Sequence, residues 1–223
     1  MSGEMINNMQ RAFSRVLWIG GATDSGKTTT ARILAERHGL PIYHYDKHDL
    51  VHHEKLAKIY PAYRVFLAAS LDERWVHPEP DELFRRSLQS FQDRFPLLLE
   101  ELVSLPLERG IVVEGFGLLP ELLTPILSYP RQALWLMPTE SFKRDSMTRR
   151  GKPSFGSQVS DLERAKSNLL ARDLLLAAHI KSQVLQYGYT LYEVDGTRTA
   201  DEMADRMEGY FAPFLIHWFR HSR

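Results

Sequence analysis

Residues 21–28 read Gly-Ala-Thr-Asp-Ser-Gly-Lys-Thr, an ungapped match to G-x-x-x-x-G-K-[ST]. No other feature restricts the fold as tightly, because the pattern works only as a turn between a strand and a helix. The flanks supply both. Val16, Leu17, Trp18 and Ile19 form an apolar run suited to a buried strand, and Ala31, Ile33, Leu34 and Ala35 continue beyond Gly26 with helical character. Gly21 and Gly26 permit positive φ and bring bare backbone close to an anion. The loop residues Ala22, Thr23, Asp24 and Ser25 then turn successive N–H groups toward phosphate oxygens, backed by the partial positive charge of the helix start. Lys27 is expected to reach the β- and γ-phosphates, Thr28 to offer its hydroxyl to Mg²⁺, and Thr29 to donate to the α-phosphate. A chance match in a chain this long has odds of about one per cent or less.

Five short apolar runs, at 16–19, 42–45, 111–114, 133–137 and 190–194, alternate with helical stretches. That βαβα order predicts a three-layer α/β/α fold around a five-stranded parallel sheet with right-handed crossovers. At 223 residues the chain fits one such domain, residues 15–223, with a helical insert at 46–110, too long for a single crossover. The insert reads as helices over 48–59 and 61–69, a Pro-rich turn at His77-Pro78-Glu79-Pro80, and a long amphipathic helix from Asp81 to about Leu105. A helix over 159–187 ends before Gly188, and Thr199-Ala-Asp-Glu202 is a capping box opening the last one. Its aromatic tail (Tyr210, Phe211, Phe214, Trp218, Phe219) suits either a core or a dimer surface, so monomer and homodimer both stay open. Residues 1–14 are polar, lack a signal peptide's apolar region, and are expected to be loosely ordered.

Lys+Arg 28 against Asp+Glu 28 gives no net charge, which argues against an extended nucleic-acid footprint. With no cysteine there is neither a disulfide framework nor a thiolate metal site. No apolar run is long enough to span a bilayer. The expectation is a soluble cytoplasmic protein that binds neither membrane nor nucleic acid.

Functional residues in such sheets gather at the carboxyl ends of the strands. Asp46 follows the second run, where a carboxylate can orient an acceptor hydroxyl and take its proton, or hold a metal; the plainer role is a helix cap. Asp49 is the second candidate. Glu114 ends the apolar run Ile111-Val112-Val113, and an acid there needs a cation or donors, which makes it a candidate magnesium ligand, directly or through water. Arg144, Arg149 and Arg150 precede the Gly/Pro/Ser-containing stretch 151–157, and Lys152 lies within it. They suit either a mobile lid over 144–158 that neutralises charge during transfer or a solvated helix face. Arg172 interrupts an apolar helix and can turn to phosphate or pair with Asp173. His44, His48, His52 and His53 cluster, with His48 and His52 at i, i+4, but no third ligand accompanies them in sequence, so a structural or acceptor-contacting role is preferred to zinc. Trp75, Arg64, Arg74, Arg85 and Arg86 have surface packing as their default role, with an anionic or planar acceptor as the alternative.

Taken together, the phosphate loop, Asp46 after the second strand and the arginine-rich stretch after the fourth resemble the P-loop kinases. The group includes nucleoside monophosphate, shikimate, gluconate, uridine and 2-phosphoglycerate kinases. Val113-Glu114-Gly115-Phe-Gly-Leu-Leu-Pro120 is similar to the Glu-Gly strand end of the 2-phosphoglycerate kinase-like proteins. Glu193-Val-Asp195-Gly196-Thr197, with Arg198, looks like the turn beside the adenine in those enzymes. The resemblance implies ATP and Mg²⁺ as cofactors and a small-molecule phosphoryl acceptor, with Lys27, Asp46, Arg149 and Arg150 as the catalytic set. Two departures stand out. Asp24 is an acid among phosphate-facing positions, expected to point away from the anion or toward the acceptor. Phe155-Gly-Ser replaces the Arg-x-Asp-Asp of many nucleoside monophosphate kinases, which leaves a metabolite hydroxyl as open as a nucleoside or nucleotide. The rival reading is a nucleotide-gated NTPase or regulatory ATP-binding protein without a small acceptor.

Overall fold

Alternate residues of the central strands face opposite layers of helices, and both faces are apolar. In a computed structural model describing residues 3–150 and 158–220, the strands are β1 (Val16–Gly21), β2 (Ile42–His44), β3 (Ile111–Glu114), β4 (Ala133–Pro138) and β5 (Thr190–Val194). They form one parallel sheet in the order β2-β3-β1-β4-β5. Val16, Trp18, Ile111, Val113, Ala133 and Trp135 enter one core; Leu17, Ile19, Val112, Leu134 and Leu136 enter the other. Burial on both sides is why these runs read as continuously hydrophobic rather than alternating.

The helices are α1 (Gly3–Ala12), α2 (Lys27–Arg37), α3 (Asp49–Ala57), α4 (Pro61–Ala68), α5 (Leu71–Trp75), α6 (Pro80–Val103), α7 (Pro120–Leu123), α8 (Glu140–Arg150), α9 (Leu162–Gln186) and α10 (Ala200–Arg220). From α2 and α10, Leu34, Met207, Phe211 and Trp218 cover one face, so this part of the aromatic tail is core. From α6 and α9, Phe95, Leu98, Leu102, Leu176 and Ile180 cover the other. Each large apolar side chain buried this way contributes about 1.5–3 kcal/mol. No helix among the described residues is long and apolar enough to cross a membrane.

Several boundaries differ from the sequence reading. The segment expected to be loose is largely the helix α1: Met9 packs on the core, and Ser128 Oγ donates to the Gln10 carbonyl across 2.7 Å. Its apolar residues recur on one face, a short pattern inside a polar stretch. β2 stops at His44 because Tyr45–His48 wind into a 3-10 turn. The short helix α5 was not anticipated, although Ser70-Leu-Asp-Glu73 spells its capping box: Glu73 N–H donates to Ser70 Oγ and Ser70 N–H to the Glu73 carboxylate. Pro80 occupies the first turn of α6, where its missing N–H costs nothing.

In the sheet register, Ile19 lies beside Glu114, Glu114 beside His44, and Gly21 beside Leu136. The turn after β1 therefore opens between the carboxyl ends of β3 and β4.

Candidate active site

The chain leaves β1 at Gly21 with φ +132°, and a side chain there would collide with the Leu136 backbone, whose carbonyl accepts from Ala22 N–H at 3.2 Å. Gly21 is thus required by the approach of β4. Gly26, at φ +76° and with open space around its Cβ position, is required for the left-handed turn into α2. Asp24 also has positive φ, at 61°. Thr30 N–H closes the first helical bond, on Gly26 O at 3.0 Å; the N–H groups before it belong to the free start of a helix. The Ser25 hydroxyl is buried without a hydrogen-bond partner among the described residues. A concave turn with helix-start donors and an orphaned hydroxyl is suited to an anion.

Four side chains meet at its mouth. Lys27, with a side chain only 8% exposed, lies 3.8 Å from Asp46 Oδ2 and 5.8 Å from the centre of the Phe116 ring. Thr28 Oγ1 donates to Glu114 Oε2 across 3.0 Å, and the other Glu114 oxygen lies 2.7 Å from His44 Nδ1. Glu114 is buried. Both Asp46 oxygens accept the Phe116 N–H, at 3.0 and 3.2 Å, which ties the turn after β2 to the loop after β3. Asp46 is not a helix cap: His44 and His48 occupy the cap positions around it. With its side chain 46% exposed, it keeps access to solvent. Asp49 is as exposed, with a side chain at 53%, but Arg94 and His53 hold its two oxygens.

A second cluster clamps the loop from the opposite side, and Lys143 is the residue that sequence reasoning missed. Its ammonium lies 2.7 Å from both Asp24 Oδ2 and Asp173 Oδ2, and it also donates to Thr23 Oγ1. Thr23 Oγ1 donates in turn to Asp173 Oδ2 across 2.5 Å. Arg172 binds the other Asp173 oxygen at 2.6 and 3.0 Å and lies 5.6 Å from the centre of the Trp75 ring. Burial opposes charge on Asp173, yet Arg172 and Lys143 hold its carboxyl below the usual range. Of the alternatives for Arg172, the pairing with Asp173 is the one found. Asp24 faces helix α8 through Lys143. The available signal was the unusual acid at position 24, which called for a buried cation.

Arg144 pairs with Glu140 on the exposed face of α8 and is not brought to the loop. The side chains of Arg149 and Arg150, and residues 151–157 with Lys152, lie outside the described residues. Thr29 is exposed on the first turn of α2. Asp195 folds its own turn by accepting from Thr197 N–H and Oγ1, and Gly196 passes close over Phe142 of α8. Arg198 is exposed beside that turn. In the insert, Arg64 caps the Ala57 carbonyl, Arg74 the Leu67 carbonyl, and Arg86 pairs with Glu82.

No protein-family model matches the chain, and no curated protein matches it. Among solved structures, the Thermus thermophilus protein TT1252 superposes with a TM-score of 0.52 at 19% identity, over 89% of this chain and 96% of that one. A shikimate kinase from Acinetobacter baumannii in complex with shikimate gives 0.48 at 17% identity, over 92% of this chain and 97% of that one. A gluconokinase from Sinorhizobium meliloti 1021 gives 0.48 at 18%, over 95% and 99%. At these identities the likeness is one of fold, and the fold is the three-layer α/β/α arrangement of P-loop proteins.

Proposed function

We propose that this chain transfers the γ-phosphoryl group of ATP, with Mg²⁺, to a hydroxyl of a small acceptor received by the 46–110 insert. The observation that carries the reading is the meeting of Lys27, Thr28, Asp46 and Glu114 at the mouth of one glycine-bounded turn. Phosphoryl transfer asks little covalent chemistry of a protein and much positioning and charge stabilisation. Lys27 brings a fixed positive charge to a nearly dry position, where it acts strongly on developing negative charge. The loop amides and the Ser25 hydroxyl bind the phosphate oxygens. Thr28 and Glu114 would hold Mg²⁺, which when bound supplies neutralisation of the β- and γ-oxygens. His44 orients the Glu114 carboxylate from behind.

Asp46 receives the proton of the attacking hydroxyl. Its two bonds to the Phe116 N–H fix its orientation while leaving it accessible. The 144–158 segment, with Arg149 and Arg150, completes the charge shell, and the Asp195–Arg198 turn borders the base. The test is ADP release by the purified chain across a panel of polyols, hydroxy acids, sugar phosphates, nucleosides and nucleotides. Stimulation by at least one class, dependent on Mg²⁺ and lost with Lys27→Ala, is the expected result. Acceptor-independent turnover throughout the panel overturns it in favour of an NTPase.

A further inference from the structure

The histidines of the insert find in the fold the third ligand that the sequence around them lacks. His48 ends the 3-10 turn after β2 and His52 follows one helical turn later in α3, so both rings lie on one side. Glu101, far along the chain on α6, reaches between them. Its Oε2 lies 3.0 Å from His48 Nδ1 and its Oε1 lies 3.1 Å from His52 Nε2. One ligand atom from each of the three residues falls within 4.8 Å of the others. Ligand bonds of about 2.0–2.1 Å in tetrahedral geometry separate ligand atoms by about 3.3 Å, so a small closing or opening of this triangle accommodates the ion.

We propose that His48, His52 and Glu101 form a binding site for a divalent transition metal of the zinc class, separate from the phosphate loop. Two imidazoles and one carboxylate are a donor set for zinc rather than for magnesium or calcium, which prefer oxygen. The surroundings provide orientation and a route. Tyr43 donates to Glu101 Oε2 across 2.5 Å, a support that fixes the carboxylate. Tyr43 also stacks on the His48 ring, with centroids 4.4 Å apart. His52 is fully buried, whereas the His48 side chain is 37% exposed and opens the site to solvent. The position an ion would take is bordered by the Lys55 ammonium, 2.6 Å from Glu101 Oε1 on a side chain 44% exposed. The lysine swings outward when the dication enters. Because His48 lies two residues beyond Asp46, a bound metal clamps the turn carrying Asp46 onto α6.

The experiment uses the full, tag-free chain, stripped with EDTA and free of nucleotide. Cobalt(II) serves as the spectroscopic probe and zinc as its competitor. The expected result is one equivalent of cobalt with the intense visible absorption of a four-coordinate site, displaced by zinc. His48→Ala and Glu101→Gln should each weaken binding by more than about tenfold. Lys55→Gln should bind at least as tightly as the natural chain, and Glu114→Gln should keep the spectrum, since it alters only the phosphate-loop site. Circular dichroism and melting in EDTA establish that each variant is folded. Zinc should raise the melting temperature of the natural chain and not that of Glu101→Gln. Absence of a stoichiometric four-coordinate spectrum, or a spectrum that survives in both His48→Ala and Glu101→Gln, overturns the proposal. Neither outcome bears on phosphoryl transfer.

Discussion

Thr28 and Glu114, 86 positions apart in the chain, share a hydrogen bond of 3.0 Å between hydroxyl and buried carboxylate. The bond joins the first turn of α2 to the end of β3, and the sheet register that sets Ile19 beside Glu114 makes it possible. A carboxylate taken from water needs donors or a cation. Here it has a threonine and a histidine.

Replacing Glu114 by Gln keeps the shape and removes the charge. The expected outcome is a fall in kcat of about 10²–10³-fold with a raised requirement for Mg²⁺. Steady-state ADP release across a magnesium titration measures it, with a melting curve to show that the fold persists.

Lys27→Ala deletes the buried ammonium at the loop. Turnover is expected to drop by about 10²–10³-fold and nucleotide affinity to weaken, read by ADP release and by titration calorimetry with a non-hydrolysable ATP analogue. Unchanged affinity and turnover in this variant would remove the basis of the nucleotide assignment.

Asp46→Asn retains an oxygen to accept the Phe116 N–H and loses the base. The expectation is a fall in kcat of about 10²–10⁴-fold with little change in nucleotide affinity. A parallel loss of nucleotide binding would instead assign Asp46 to holding the loop.

Lys143→Met leaves Asp24 and Asp173 facing each other without their shared cation. Stripping a buried cluster of one partner costs about 3–5 kcal/mol, to be measured by chemical denaturation. The double variant Lys143→Met with Asp173→Asn is expected to recover part of that loss, because one of the stranded charges is gone.

Asp173 titrates lower in the folded protein than its ordinary value. Its contribution is therefore fully present above the unfolded carboxyl's pKa of about 3.9 and is lost as pH falls through the lower folded value. Unfolding free energies measured between about pH 5 and pH 2 should fall with acid less steeply in Asp173→Asn than in the natural chain.

The sequence by itself determined the elements that depend on neighbours in the chain. The five strands follow from local apolar runs, the phosphate turn from eight consecutive residues, and the final helix from the Thr199–Glu202 box, whose bonds are present. Such signals are legible because the interacting groups lie a few residues apart. Tertiary structure alone decided which distant side chains meet. Lys143 reads as one more base on a basic helix until α8 packs it between Asp24 and Asp173. Glu101 reads as a surface acid until α6 brings it to His48 and His52. Buried charges must be matched, but the match is made through space, and only the packed chain specifies the partner.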